Sequence, residues 1–266
     1  MKLVVLSDLH MTRPGEVLAG IDPAARLEAA IARINAAHGD ADLVALAGDL
    51  TDRSRSQAYE DLRAALEQLS VPWAATLGNH DNRDVFARIF GPGALNDDGF
   101  AQSAHHLRGE VVILLDSLEK GPGAGGWGQG RGHLCARRLD WLARELDRAG
   151  GRPVHVVLHH PLLQVAPVPD PWLLEDPGPL LAMLDAYPDI RGVTAGHIHM
   201  ATTTLRRGIP YHTIAGGHAT SRERFGEGAG RRRFAGPGQM AVILSGAERT
   251  VLHFDDYVDA NPELEA

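Results

Sequence analysis

The sequence predicts a single α/β domain in which two packed sheets are covered on the outside by helices. Three observations carry this expectation. Short aliphatic runs alternate with amphipathic segments through the first half of the chain, which is how strands joined by helical crossovers read. The final quarter holds four strand-like runs with no helical pattern between them. The spacing continues from end to end without a linker or an internal repeat, so residues 1–266 are expected to form one domain.

Residues 3–6 are aliphatic throughout and predict a buried strand. Asp22 and Pro23 then supply a helix cap and a proline at the first helical position, and Leu27, Ala30, Ile31 and Ile34 recur at helical spacing across 24–37. Leu43–Ala47 is a second strand. A helix over 57–68 places Leu62, Ala65, Leu66 and Leu69 on one face and leads to a third strand at 73–77. Beyond Gly91 the pieces shorten to a strand at 111–115 and a glycine-rich loop at 121–132. A helix over 135–148 follows, with Leu139, Leu142, Ala143 and Leu146 in register, and then a strand at Val154–Leu158. The proline-rich connection 161–179 makes residues 160–180 a candidate cap or lid over whatever that strand points at. A short helix at 180–186 leads to a strand at Ile190–Ala195, and the runs 201–205, 209–214, 240–244 and 251–254 read as antiparallel strands.

At 266 residues and 44% hydrophobic content the chain can bury a full core. A net charge of −8 argues against a grip on a long nucleic-acid backbone, which needs a basic face, and favours a small anionic molecule as partner. The lone Cys135 excludes an internal disulfide, so the fold does not depend on an oxidising compartment. The opening apolar run is too short for a signal peptide, and no stretch approaches the roughly 20 apolar residues that cross a bilayer. The expectation is a cytoplasmic protein without a membrane partner.

Five strand runs end in residues able to bind metal. Asp8 and His10 follow the first, Gly48-Asp49 the second and Gly78-Asn79-His80-Asp81 the third; His159-His160 follow Val154–Leu158, and Gly196-His197-Ile198-His199 follow Ile190–Ala195. In parallel sheets the carboxyl ends of strands share one edge, so these side chains can converge despite their separation in sequence. Each piece alone also reads as an ordinary turn, where Asp accepts backbone hydrogen bonds. Together they make a set of oxygen and imidazole donors suited to manganese, iron, zinc or cobalt. Gly48, Gly78 and Gly196 stand where the chain must turn sharply and approach such a centre closely.

In this order Asp-x-His, Gly-Asp, Gly-Asn-His-Asp, His-His-Pro and Gly-His-x-His resemble the five-motif signature of calcineurin-like metallophosphoesterases, from Lys2 to about Thr220. The resemblance implies a four-layer α/β/β/α sandwich with two mixed sheets and two metal ions at the strand ends, manganese or iron foremost and zinc or cobalt as alternatives. It assigns Asp8, His10 and His199 to one ion and Asn79, His159 and His197 to the other. Asp49 would bridge both, since a carboxylate has two oxygens to share between cations. The choice of His159 over His160 follows the family pattern His-x-Pro. His80 is implied as a catalytic residue that binds no metal and gives a hydrogen bond to the phosphate or a proton to the leaving oxygen. Asp81 would either hold the His80 ring or cap the following helix. The implied reaction is attack of a metal-activated hydroxide on phosphorus, with no covalent enzyme intermediate.

The Asp-Leu-His opening, the segment Leu139-Asp140-Trp141-Leu142 and the turn His159-His160-Pro161 are most similar to bacterial cyclic-nucleotide and glycerophosphodiester phosphodiesterases. That similarity implies a small phosphodiester substrate, such as 3',5'-cyclic AMP or a glycerophosphodiester. A phosphomonoesterase is the alternative, with a nuclease or a non-catalytic scaffold less favoured. Family members often pair, so a homodimer is an expectation. Residues 164–176, with Trp172, and the loop around Trp127 are candidate pocket walls; a tryptophan there could stack on a nucleobase, with plain packing the preferred role for each. His218 either faces the site or caps a turn, with the turn preferred, and Arg222, Arg224 and the arginines at 231–233 read as a solvated loop.

Overall fold

The computed structural model describes residues 1–119, 130–165, 172–224 and 230–258. Its first half contains β1 (Lys2–Leu6), α1 (Pro23–Ala37), β2 (Leu43–Ala47), α2 (Ser56–Leu66), β3 (Trp73–Thr76), α3 (Arg83–Phe90), β4 (Ser103–Leu107) and β5 (Glu110–Leu115). There follow α4 (Ala136–Ala149), β6 (Val154–Leu158), α5 (Gly178–Ala186), β7 (Ile190–Ala195), β8 (Thr202–Arg206) and β9 (Ile209–Thr213). The chain continues through β10 (Thr220–Arg224), β11 (Gly230–Phe234), β12 (Gln239–Ser245) and β13 (Thr250–Asp256).

The strands form a five-stranded sheet, β13-β12-β1-β2-β3, a six-stranded sheet, β4-β5-β6-β7-β9-β8, and the separate hairpin β10–β11. Both large sheets are mixed. β1, β2 and β3 run parallel, as do β5, β6, β7 and β9, and antiparallel strands flank each group.

Period-two alternation explains the layers. Val4, Leu6, Val44 and Leu46 pack against Leu27, Ile31 and Ile34 of α1, Tyr59 and Leu62 of α2, and Phe86 of α3. The intervening Leu3, Val5, Leu43, Ala45 and Ala47 meet Val112, Leu114 and Val157 of the second sheet. On the far side of that sheet, Val111, Ile113, Val156 and Leu158 lie under Leu142 and Leu146 of α4 and Leu180 and Leu184 of α5. The result is the α/β/β/α sandwich that the resemblance implies. Strands buried on both faces carry continuous apolar runs, which is why these could be read directly.

Three features differ from the expectation. β9 lies parallel to β7, because β8 serves as the return stroke between them, so the terminal strands are not uniformly antiparallel. β4 has no counterpart in the reading of the sequence, and α3 enters it only as the unbounded helix that follows Asp81. The basic segment expected to be a solvated loop instead forms β10 and β11, paired in register from Thr220↔Phe234 to Arg224↔Gly230. No helix among the described residues is long and apolar enough to cross a membrane.

The topology puts the carboxyl ends of β1, β2 and β3 beside those of β6 and β7. His159 Nδ1 reaches across the sheets to the carbonyl of Ala47 at 2.8 Å, and Asp8 N donates to Gly48 O at 3.0 Å. Every metal-binding motif of the sequence sits on this edge.

Candidate metal centre

Tight turns after the strands aim the side chains. Asp8, His10, Asp49, His197 and His199 have φ of 54°, 48°, 48°, 71° and 53°, a left-handed backbone that costs of order 1–3 kcal/mol per residue. Five such residues within one cluster mark a site whose geometry the surrounding fold enforces. Glycine is required where the backbones crowd. A Cβ on Gly48, itself at φ 83°, would stand 2.7 Å from Gly78 N, and one on Gly78 would strike the Asp49 carboxylate.

Two sets of donor atoms result. In one, His10 Nε2 lies 3.2 Å from His199 Nε2, which lies 3.4 Å from Asp8 Oδ1. In the other, His159 Nε2 lies 3.1 Å from His197 Nδ1 and 3.2 Å from Asn79 Oδ1. Asp49 stands between them, with Oδ1 3.3 Å from His159 Nε2 and Oδ2 3.7 Å from His10 Nε2. Ligands about 2.0–2.2 Å from one ion lie roughly 3.0–3.5 Å from each other, so these spacings fit two cations that share Asp49.

Backbone carbonyls fix the tautomers that such binding needs. A carbonyl only accepts, so His159 Nδ1 must carry its hydrogen toward Ala47 O, and His199 Nδ1 toward Ala219 O at 2.6 Å. In the neutral rings both Nε2 atoms then present lone pairs inward. Burial, with neighbouring imidazoles adding to it, holds His10 and His197 well below the usual histidine range, in the neutral ligand form. Burial by itself would raise the Asp49 carboxyl, but His159, His80 and His10 hold it well below the carboxylate range. Burial likewise opposes charge on His159, yet Asp49 and Asp8 raise it to about 9. Two buried carboxylates thus create a field that demands positive charge, and a bound cation would meet that demand.

His80 stands beside the cluster. Its amide donates to Asp49 Oδ1 at 2.9 Å, its Nδ1 faces Asp52 O at 2.8 Å, and its ring meets His10 edge-on with centroids 4.7 Å apart. His10, Asp49 and His80 also form a compact triad, as do His159, His160 and His197. His160 Nδ1, however, is engaged by Ser117 Oγ at 2.8 Å. Neither expected role of Asp81 holds. Its carboxylate accepts from Gly78 N, Leu50 N, Thr51 N and the Tyr59 hydroxyl, while Asn82 caps α3 through Asp84 N and Val85 N. Asp81 instead ties the loop that follows β3 to the loop that follows β2. Burial and the nearby Asp49 push its pKa up to about 6 against the pull of the Gly78 and Leu50 amides.

The cluster opens into a cavity of about 600 Å³, lined by His10, Asn79, His80, His197 and His199 at one end. Leu18, Ala19, Trp172, Ile198 and the hairpin residues Ser221, Arg231 and Arg233 form its walls. Trp172 is therefore a half-exposed wall residue and not the plain packing residue that the sequence favoured; Trp127 lies outside the described residues. His218 does more than cap a turn. It is fully buried, with its ring 5.5 Å from that of His10 and its Nε2 2.9 Å from Leu18 O.

A family model for calcineurin-like phosphoesterases matches residues 1–201. The chain belongs to the calcineurin-like phosphoesterase family. It is 33% identical over 260 residues, 95% of this chain and 91% of the other, to a Rhodopseudomonas palustris protein named as a probable cyclic nucleotide phosphodiesterase. It is 31% identical over 202 residues, 74% of this chain and 69% of the other, to the 3',5'-cyclic adenosine monophosphate phosphodiesterase CpdA of Pseudomonas aeruginosa. A protein named as a probable glycerophosphodiester phosphodiesterase, GpdQ of Arcobacter nitrofigilis, is 29% identical over 224 residues, 81% of this chain and 78% of the other. Among solved structures, a dimetal phosphatase from Danio rerio matches 97% of this chain and 96% of its own with a TM-score of 0.71. At 17% identity it speaks to the fold alone.

In this phosphoesterase the structure brings together Asp8, His10, Asp49, Asn79, His80, His159, His197 and His199. The sequence reading missed the carbonyls of Ala47 and Ala219, and it missed Asp52, which faces the cavity and holds His80 through its carbonyl. Asp52 lies three residues past Asp49 in a run that already held a candidate ligand. Nothing in the sequence marks the two carbonyls.

Proposed function

We propose that this phosphoesterase hydrolyses small phosphodiesters at a centre of two metal ions, with 3',5'-cyclic nucleotides such as cyclic AMP, or glycerophosphodiesters, as its substrates. The observation that carries the reading is the placement of Asp49, whose two oxygens face separate groups of imidazoles. Asp8, His10 and His199 would hold one ion, and Asn79, His159 and His197 the other. Two such cations, when bound, lower the pKa of water and neutralise the oxygens of a phosphate. Manganese or iron suits this mixture of carboxylate, amide and imidazole, with zinc or cobalt as alternatives.

The protein's own groups orient and transfer protons. In the neutral rings that a metal would select, Ala47 O and Ala219 O hold the hydrogen on Nδ1 and leave the inward nitrogens of His159 and His199 as the ligand atoms. His80, in its imidazolium form, keeps its Nδ1 hydrogen on Asp52 O and offers the Nε2 hydrogen to the departing ester oxygen. Trp172 provides a planar wall for the organic part of the substrate. The diester preference is supported by the similarity to relatives named as cyclic nucleotide and glycerophosphodiester phosphodiesterases. A one-domain, cytoplasmic enzyme that pairs as a homodimer completes the reading; a chain with one cysteine needs no oxidising compartment.

The test is the initial rate of manganese-reconstituted protein on bis(4-nitrophenyl) phosphate and on 4-nitrophenyl phosphate, beside Asp49→Ala. A faster diester rate that disappears in the variant is expected. A faster monoester rate would move the assignment to a phosphomonoesterase, and no metal-dependent rate on either would remove the catalytic reading.

A further inference from the structure

Part of the cavity wall is apolar, and its support lies far away in sequence. Leu18 and Ala19 line the cavity, and both belong to the loop between β1 and α1. Leu18 N donates to Ile21 O at 2.8 Å and Ile21 N to Leu18 O at 3.0 Å. Between them Ala19 and Gly20 have φ of 53° and 78°. A two-residue turn with both φ positive suits glycine and disfavours alanine, so this turn gains from an outside support. Packing supplies little of it at the tip, where Val17 is 59% exposed.

The start of the loop has its own ties. Thr12 Oγ1 donates to Glu16 O at 2.5 Å, and Arg55 pairs with Glu16 at 2.9 Å. The turn is held by His218, whose Nε2 donates to Leu18 O at 2.9 Å. Among the described residues no other side chain donates to residues 17–20. The His218 ring is fully buried, and its Nδ1 has no hydrogen-bond partner among the described residues. A buried imidazole with one nitrogen unsatisfied is costly, and the bond to Leu18 O is what offsets the cost. Such a ring offers a substrate no surface of its own and acts through Leu18. Arg26 of α1 steadies it by donating to His218 O at 3.3 Å, and the next carbonyl, Ala219 O, takes the Nδ1 hydrogen of His199 at 2.6 Å. The apolar wall and the metal centre therefore rest on one stretch of chain.

We infer that His218 is a positioning residue: through Leu18 O it sets the wall of Leu18 and Ala19, against which the arm of the diester that stays behind packs. The wall then favours diesters with a nucleoside-sized arm over diesters with a small one. This rests on the diesterase reading for turnover, but the hold on the loop can be measured without it.

Two chromogenic diesters share a leaving group and differ in that arm: thymidine 5'-(4-nitrophenyl phosphate) and methyl 4-nitrophenyl phosphate. Manganese-loaded wild type should show a kcat/KM at least about tenfold higher on the thymidine ester, the gain from burying about 50 Å² of apolar surface. His218→Leu, which keeps the bulk and removes the donor, should cut that ratio about tenfold through KM for the thymidine ester, and His218→Gln should restore it. Leu18→Ala removes the half-buried wall residue itself and should lower the same ratio, which tests the wall even where the leucine variant fails to fold. Hydrogen exchange read by mass spectrometry needs no turnover: the peptide spanning residues 12–22 should exchange faster in His218→Leu and at the wild-type rate in His218→Gln. A wild-type ratio near one, a ratio unchanged in His218→Leu or Leu18→Ala, or a loop that exchanges as in wild type would overturn the inference. If neither ester is hydrolysed but the exchange difference appears, the hold on the loop stands and the diesterase reading falls.

Discussion

Arg83→Ala probes how the loop bearing Asn79 and His80 is anchored. Arg83 opens α3, and its guanidinium makes a two-pronged contact with Asp116, just past β5, at 2.7 and 2.8 Å. Both side chains are buried, Asp116 completely. The carboxylate also accepts the amides of Ala101 and Leu118, each at 2.9 Å, and Arg138 Nη1 lies 3.9 Å away. Deleting one partner of a buried ion pair costs about 3–5 kcal/mol, because the other charge is left without compensation. The two amides and Arg138 still support Asp116, so the expected loss is near the lower end, about 3 kcal/mol. Urea unfolding at neutral pH, followed by circular dichroism, measures it. A loss below about 1 kcal/mol, the range of an exposed pair, would refute the reasoning.

Two further predictions follow from the same geometry. Gly78→Ala drives a methyl group into the Asp49 carboxylate and to within 2.7 Å of His159 Nε2. Catalytic rate on a diester should fall about a hundredfold, the scale of a 1 Å misplacement, with an unchanged circular dichroism spectrum; wild-type rates would show that the site tolerates the shift. Glu110 is paired with His155 at 2.9 Å. Burial pushes its carboxyl up, but the bonds from His155 and Ser245 outweigh burial and depress the pKa below 4.5. The pair's stabilisation is therefore complete above pH 4.5 and is lost as pH falls through the lower folded value. Glu110→Gln should flatten the acid limb of the stability curve, and an acid limb as steep as that of wild type would count against this assignment.

The sequence made visible what is encoded locally. Residues 3–6 and Leu43–Ala47 are apolar on both faces, and Asp8 and Asp49 stand within two residues of the ends of these runs, as Asn79, His159 and His197 do after the mostly apolar runs 73–77, Val154–Leu158 and Ile190–Ala195. Chemistry placed at strand ends is legible because the end of an apolar run is itself legible. The remainder depends on contacts distant in sequence. β10 and β11 carry charge on both faces, since one face lines a cavity and the other is exposed, so no alternation announces a strand. β4 is a half-buried edge strand holding His105 and His106. The burial of His218 depends on Leu18, and Asp81 is committed to the amides of Leu50 and Thr51, neither of which a linear pattern reveals. α3, with Phe86, Ile89 and Phe90 at helical spacing, was within reach of the periodicity.

Metal content tests the centre most directly. Protein stripped with chelator, reloaded with manganese and freed of excess ion should hold two manganese ions per chain by elemental analysis. Asp49→Ala, folded by circular dichroism, should lose at least one of them, because that carboxylate faces both sets of ligands. A wild type that holds one ion or none, or a variant that retains two, would contradict a shared two-metal site.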